Sequence, residues 1–386
     1  MPPIIAAIVG NEAPVIREFL DYHHGLGFPV FLLQLNATDD GLTNAEVDAW
    51  ATDHRDDAII AMVPGEWRDF ATNRNLLLDA HAAADHRTWM VMLDVDWRLH
   101  ADPHRLDAEL DRLEQLGNDA AMIRVSRFDN SVTFPRPLAT SNRTTGRYRG
   151  RRHEYLDTPV QATVRPDVAS VTYTPTGHRS RISPSELFLD DAEQLRIEYF
   201  STVADDPNHA ARCCFYLAQS YRDAGVVEQA AEWYERRALS PLGYWQERYV
   251  AALNAARLHR NDLAAMEQWL ATAIQIDPRR REAWIELQGV LTRHGFVRAA
   301  YLLAEAMRKD PDPDDALFAE TETNDYWSSY NLAYLSALMG AWGVYGMEMS
   351  YFMERWPDSG HVAYLRSLAE NRPGNAPTET PNLSNP

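Results

Sequence analysis

Two cysteines, a single lysine and no long apolar run narrow what this 386-residue chain can be. Cys213 and Cys214 are adjacent in a stretch of helical spacing, which excludes a structural disulfide between them and a metal site built from cysteines. No apolar run reaches the length needed to span a bilayer. The opening Met-Pro-Pro-Ile-Ile-Ala-Ala-Ile-Val-Gly lacks a basic leader, is too short for a signal peptide and reads as a first buried strand. Together these features lead us to expect a cytoplasmic protein. Positive charge is the minority: 37 Lys and Arg stand against 56 Asp and Glu, for a net charge of −19. That excludes broad nonspecific affinity for nucleic acid, although a local basic patch remains compatible with it. Lys309 is the only lysine, and no functional conclusion follows from that. What the chain has in quantity is apolar residues, 45%, and aromatic ones, 10%, enough for packed cores in two or three domains.

Strand and helix signals alternate through the first half. Ile4 to Val9 is a short apolar run ended by Gly10-Asn11-Glu12, and Ala13 to His24 has helical spacing through Val15, Ile16, Phe19 and Leu20. Val30 to Leu35 is a second strand, closed by the turn formers Asn36-Ala37-Thr38-Asp39-Asp40-Gly41. Ala58 to Val63, helical Phe70 to Ala83, and Trp89 to Leu93 continue the pattern, which predicts a mainly parallel sheet with crossover helices. Asp102 to Leu116 is helical and Ala120 to Val125 is a strand. Ser126 to Arg152 is polar and carries Arg136, Arg143, Arg147, Arg149, Arg151 and Arg152, so a loop or an anion-binding flap is expected there. Val160 to Val164 and Val168 to Tyr173 read as strands.

The apolar run Trp89 to Leu93 leads directly into Asp94-Val95-Asp96. An unpaired carboxylate at the end of a buried strand is costly. Two of them with one residue between suit a hard divalent cation and the phosphates it carries, at the strand ends where open α/β sheets bind ligands. Alone, the tripeptide is common and equally describes two solvated residues in a turn.

Four elements, in order, resemble the family 2 glycosyltransferases: Gly10-Asn11-Glu12, the turn Asn36 to Gly41, the segment Trp67-Arg68-Asp69-Phe70-Ala71-Thr72-Asn73-Arg74-Asn75, and Asp94-Val95-Asp96. The resemblance covers roughly the first half. It implies an α/β domain of the GT-A type, Rossmann-like, over residues 1–185. It further implies a metal-dependent transfer of a sugar, from a UDP-sugar by first preference, with Mn²⁺ or Mg²⁺. By the same resemblance Asn11, Glu12 and Asp39 hold the nucleotide base and ribose, Arg74 and Arg152 lie near the diphosphate, and Asp94 serves ribose or ion. Asp96 ligates the ion, Glu154 is the general base and His178 a further metal or phosphate ligand. The sequence departs from the family at Trp97, where many relatives carry an acidic residue.

The second half is helical throughout. Leu217, Ala218, Tyr221, Ala230 and Tyr234 follow the small/large pattern of a tetratricopeptide repeat. Leu253, Leu270, Ala273 and Pro278 give a looser copy, and Trp284, Leu287, Leu291, Ala300, Ala304 and Pro311 a third, with a degenerate pair from Trp327 to Pro357. Phe215 to Tyr221 also resembles the first repeat of glycosyltransferases fused to such repeats. An all-α helical-repeat domain is expected over 186–370, stacked because single repeats cannot bury their faces, with a disordered tail over 371–386. The repeats suit a macromolecular acceptor, a protein or peptide first and a modified DNA base second, and self-association. With no membrane-binding helix evident, cell-wall or lipid-linked sugars are third. A non-catalytic scaffold with a degenerate transferase domain is the competing class, kept in view by Trp97.

Overall fold

The computed structural model describes residues 1–35, 41–86, 88–129, 132–158, 162–177, 182–307, 313 and 316–372. Asp39, His178 and the tail beyond residue 372 therefore lie outside the described residues. Residues 1–254 with 315–319 form one compact unit, and 255–314 with 320–386 form another. The change from mixed to all-helical structure comes at Pro184, but the first compact unit does not end there: it continues through three complete helices and most of a fourth, to Asn254.

The first unit is built on an eight-stranded sheet with the order β3-β2-β1-β4-β7-β6-β10-β5. Its strands are β1 (Ile4–Val9), β2 (Val30–Leu35), β3 (Ile59–Val63), β4 (Trp89–Leu93), β5 (Trp97–Ala101), β6 (Ala120–Arg127), β7 (Thr133–Ser141) and β10 (Ala169–Tyr173). β1 pairs parallel with both β2 and β4, and β2 with β3, while β7 runs antiparallel to β4 and β6. A separate hairpin joins β8 (Arg147–Arg149) to β9 (Tyr155–Asp157). Helices α1 (Ala13–Gly25), α2 (Leu42–Asp53), α3 (Phe70–Ala82) and α4 (Pro103–Gln115) make the connections.

β4 shows why this sequence makes a central strand. All five residues are buried. Trp89, Val91 and Leu93 enter one core cluster, whereas Met90 and Met92 enter another. Both faces of the strand are therefore covered, so its sequence is apolar throughout rather than alternating. The chain runs outward from β1 through β2 to β3, then returns to the other side of β1 as β4. That reversal puts the topological switch point between β1 and β4, with a crevice beyond their carboxyl ends.

The stretch expected as a loop or flap, Ser126 to Arg152, is largely strand. β4 pairs β7 only at Ala139, Thr140 and Ser141, so residues 133–138 of β7 extend beyond the last pair made with β4. Pro135 and Pro137 fall in that overhang, where their missing N–H groups leave no ladder bond unmade on the β4 side. Of the expected strand Val160 to Val164, residues 160 and 161 lie outside the described residues, and Thr163 makes an isolated parallel bridge to Met122.

From Pro184 onward the chain is helical: α5 (Pro184–Thr202), α6 (Pro207–Asp223), α7 (Val227–Leu239), α8 (Trp245–Leu258), α9 (Leu263–Ile276), α10 (Arg281–Arg293), α11 (Val297–Met307), α12 (Thr321–Leu338), α13 (Trp342–Arg355) and α14 (Gly360–Glu370). Leu217, Ala218, Ala230 and Tyr234 are buried between α6 and α7, as their repeat spacing requires. Ala300 and Ala304 of α11 meet Leu332 and Leu335 of α12 in a core of the second unit. No helix among the described residues is long and apolar enough to cross a membrane.

Candidate active site

The carboxylate pair forms a tight turn at the switch point. Trp97 N–H donates to the Asp94 carbonyl at 3.0 Å, which closes the turn from β4 into β5. Across the crevice, Gly10-Asn11-Glu12 leaves β1, with Asn11 in the left-handed region at φ 57°. Thr43 Oγ1, buried on α2, accepts from Glu12 N–H at 2.9 Å and Ala13 N–H at 3.1 Å, which locks the β1–α1 turn. Gly177 closes the far side: its N–H donates to Asp96 Oδ2 at 3.2 Å. A methyl group on Gly177 would lie 3.3 Å from Asp96 Oδ2 and 3.4 Å from Glu12 Oε1, so Glu12 and Asp96 converge on one small space.

Arg74 ties the pair to the rest of the domain. Asp69 caps α3 by accepting from Thr72 N–H at 2.7 Å, which sets the helix phase so that Arg74 points inward. Its Nη2 donates to Asp94 Oδ1 at 2.6 Å and its Nε to Glu154 Oε1 at 2.8 Å. The next residue, Asn75, accepts from Tyr148 N–H at 2.8 Å and donates to the Tyr148 carbonyl at 2.9 Å, docking β8 against the helix. Burial opposes the Arg74 charge, but Asp94 and Glu154 outweigh it and raise its proton affinity above the ordinary value.

Glu154 is buried and accepts a second ion-paired bond from Arg136 Nη2 at 2.7 Å. Burial alone would lift its carboxyl; Arg74 and Arg136 reverse that and hold it below the usual carboxylate range. Arg136 in turn lies over the Trp97 ring, 5.1 Å from its centroid. Trp97 thus serves as a platform for a guanidinium. Asp96 has its proton affinity raised, first by burial and then by Asp94. Two like charges pressed together in this way, with oxygen donors only, fit a hard divalent cation.

Of the sequence-derived candidates, the structure brings Asn11, Glu12, Asp94, Asp96, Arg74 and Glu154 to the carboxyl ends of the strands. It places Arg152 elsewhere: this side chain pairs with Asp190 at 2.8 Å and Asp191 at 2.9 Å on α5. The arginine cluster follows suit. Arg143 pairs with Glu114, Arg147 with Asp79, and Arg149 with Asp157 and Asp206. Local acidic partners supplied by distant parts of the chain neutralise most of the expected flap, and Arg136 is the member that enters the carboxylate network. Arg136 was legible only as one arginine among six; its position between Pro135 and Pro137 marks the overhang of β7. Two sets of three ligand-type side chains among the described residues stand within 4.8 Å of one another, His24 with His54 and Asp57, and Glu198 with His209 and Cys213. Neither includes Asp94 or Asp96. Burial pushes the Cys213 thiol well above its usual range, which makes the second set inert as a nucleophile.

No protein-family model matches the sequence, and no curated protein matches it. Among solved structures, the chain is similar to the mannosyltransferase PcManGT from Pyrobaculum calidifontis in complex with GDP-Man and Mn²⁺, at 16% identity over 71% of this chain and 88% of that one, with a TM-score of 0.35. It is also similar to PilF of Pseudomonas aeruginosa, at 11% identity over 49% of this chain and 83% of that one, TM-score 0.36. A kinesin light chain of nearly identical TPR-like repeats from Podosopora anserina matches at 14% identity over 48% and 90%, TM-score 0.32. Likenesses of that size leave the reaction to be argued from the site itself.

Proposed function

We propose that this protein is a glycosyltransferase that moves a sugar from a nucleotide-sugar, a UDP-sugar by first preference, to a hydroxyl of a macromolecular acceptor. The observation that carries this reading is the Asp94/Asp96 pair at the carboxyl end of a buried parallel strand, at the switch point, facing Glu12 and held by Arg74. The family resemblance of the other three motifs supports it as well.

In this reading Asp94 and Asp96 hold a Mn²⁺ or Mg²⁺ ion, with His178 as the further ligand the resemblance implies. Such an ion offsets the charge of the diphosphate leaving group. Asn11, Glu12 and Asp39 hold the base and ribose. Arg74 fixes one oxygen of Asp94, leaving the other to turn toward the crevice. The acceptor oxygen bonds to the anomeric carbon as the bond to diphosphate breaks; the electron pair leaves with the diphosphate, and the hydroxyl proton passes to water or a site carboxylate. A general base works best with a proton affinity near the working pH. Two guanidinium groups depress that of Glu154, so we revise its role from base to positioning residue, holding Arg74 and Arg136. With Arg152 engaged on α5, Arg74 and Arg136 are the guanidinium groups that meet the carboxylates of the site among the described residues.

The test is a thermal-shift series with UDP and GDP, each with Mn²⁺, followed by transfer of radiolabel from nucleotide-sugars to protein, peptide and DNA acceptors. An enzyme is stabilised by its nucleotide through linkage. The scaffold reading, which Trp97 favours, requires no response to any nucleotide and no label transfer.

A further inference from the structure

The first unit contains a second hollow beside the carboxylate network, a cavity of about 360 Å³. Its walls are aromatic, with Phe134, Tyr155, Tyr216 and Phe318, and its polar groups include Arg136, Glu154 and Gln219. Arg136 and Glu154 belong to both places, and Glu154 is two hydrogen bonds from Asp94 by way of Arg74.

Backbone strain marks this hollow. Among the described residues, three that are not glycine have positive φ: Asn11, His153 at 51° and Phe318 at 53°. Asn11 is at the strand-end crevice; His153 and Phe318 both line the cavity. Such conformations persist only where the surroundings over-determine them, and they gather at ligand sites. The surroundings here do so. The His153 ring stacks on Tyr216 at 4.1 Å and 9°, and its carbonyl accepts from Arg212 Nε at 3.2 Å and Nη2 at 3.0 Å. Phe318 packs edge-on against Phe134 at 5.3 Å, and Ala319 bridges Thr133 on the overhang of β7. A short segment from far along the chain thus returns to wall the cavity.

The charges select the occupant. Arg212, which also lines the cavity, is paired with Glu247 at 2.7 Å, and Arg136 with Glu154 at 2.7 Å. Both cations are matched, so an anionic group would compete with carboxylates already in place. An aliphatic group would offer nothing to the Gln219 amide that lines the cavity. Arg212 lies over the Tyr155 and Tyr216 rings, 4.8 and 4.6 Å from their centroids, so Phe134 and Phe318 are the rings left to take a C–H face; with a few donors and acceptors for hydroxyls, they suit a neutral pyranose. We propose that the cavity binds a neutral sugar unit of the acceptor, with the acceptor hydroxyl directed toward the Asp94 end. The acceptor role rests on the transferase reading; sugar binding by the cavity does not.

The experiment is saturation-transfer NMR on the full chain with methyl glycosides of glucose, galactose, mannose and N-acetylglucosamine, beside a tyrosine-containing peptide. Thermal response to UDP with Mn²⁺ is measured on the same samples. At least one glycoside is expected to receive saturation on its ring protons. Phe318→Ala should weaken that binding about fivefold or more, by loss of a stacking face, and Gln219→Ala should weaken it without touching any ring. Circular dichroism checks that each variant is folded. Absence of glycoside saturation, saturation unchanged in both variants, or saturation of the peptide alone overturns the inference. A nucleotide response without glycoside binding sinks this inference and spares the transferase reading. Glycoside binding without a nucleotide response does the reverse.

Discussion

Replacing Arg74 by methionine tests the network on which the site depends. Arg74 and Glu154 expose 4% and 6% of their side chains, whereas Asp94 exposes 40%. Removing the guanidinium leaves Glu154 ionised, buried and dependent on Arg136. Breaking a buried pair from one side costs about 3–5 kcal/mol. Asp94→Ala leaves the buried Arg74 with Glu154 as its partner, so it should cost less, about 1.5–3 kcal/mol for the lost charged hydrogen bond. Replacing both buried partners, Arg74→Met with Glu154→Leu, removes the stranded charge and should recover most of the loss, with a coupling energy of about 2–3 kcal/mol. Urea titration followed by near-ultraviolet circular dichroism measures each. Nucleotide response should be lost in the single and the double variant alike, which separates stability from function. A single variant that loses less than about 1 kcal/mol, or a double variant no more stable than Arg74→Met, would refute the claim that Glu154 is held by Arg74.

Asp96→Asn should raise the melting temperature in the absence of metal, because burial and Asp94 penalise the charge, and should abolish stabilisation by Mn²⁺ with UDP; a retained Mn²⁺ response counts against the ligand assignment. Trp97→Ala removes the platform under Arg136 and should lower transfer severalfold, while Trp97→Phe retains it; equal rates for the two would show that the ring does not position Arg136. His23 accepts from Leu99 N–H through Nε2, while Nδ1 contacts the Phe19 carbonyl, so it must be neutral. Burial lowers its pKa from 6.5 to about 4. The unfolded chain therefore takes up the proton first, and stability is lost as pH falls from 6.5 toward 4, on the order of 2 kcal/mol by pH 5. His23→Gln should flatten that part of the pH profile, and an unchanged slope in urea titrations would contradict the assignment.

Much of the first unit was legible because its signals are local. The apolar run Trp89–Leu93 is β4 with the same ends, and α3 begins after the Asp69 cap. The repeat spacing of Leu217, Ala218, Ala230 and Tyr234 puts those residues inside the α6–α7 pair. β7 was not legible, since its prolines argue against a strand unless one knows that pairing with β4 stops short of them. β5 was hidden as well: five residues after a turn carry too little pattern to distinguish a strand from a loop.

Partner choice is where sequence reading stops. Which of six arginines meets Glu154, and whether Glu154 is free to act as a base, depends on groups 80 and 18 positions away. Sheet order, not spacing, decides those meetings. It sends Arg152 to Asp190 and Asp191, sets Arg136 over Trp97, and returns Phe318 to Phe134. Periodicity, caps and turn residues act over a few positions, so the chain's own order determined its elements and located the carboxylate pair at a strand end. The proton affinities of those carboxylates, and the cavity beside them, exist only once distant segments exclude water and place charge against charge.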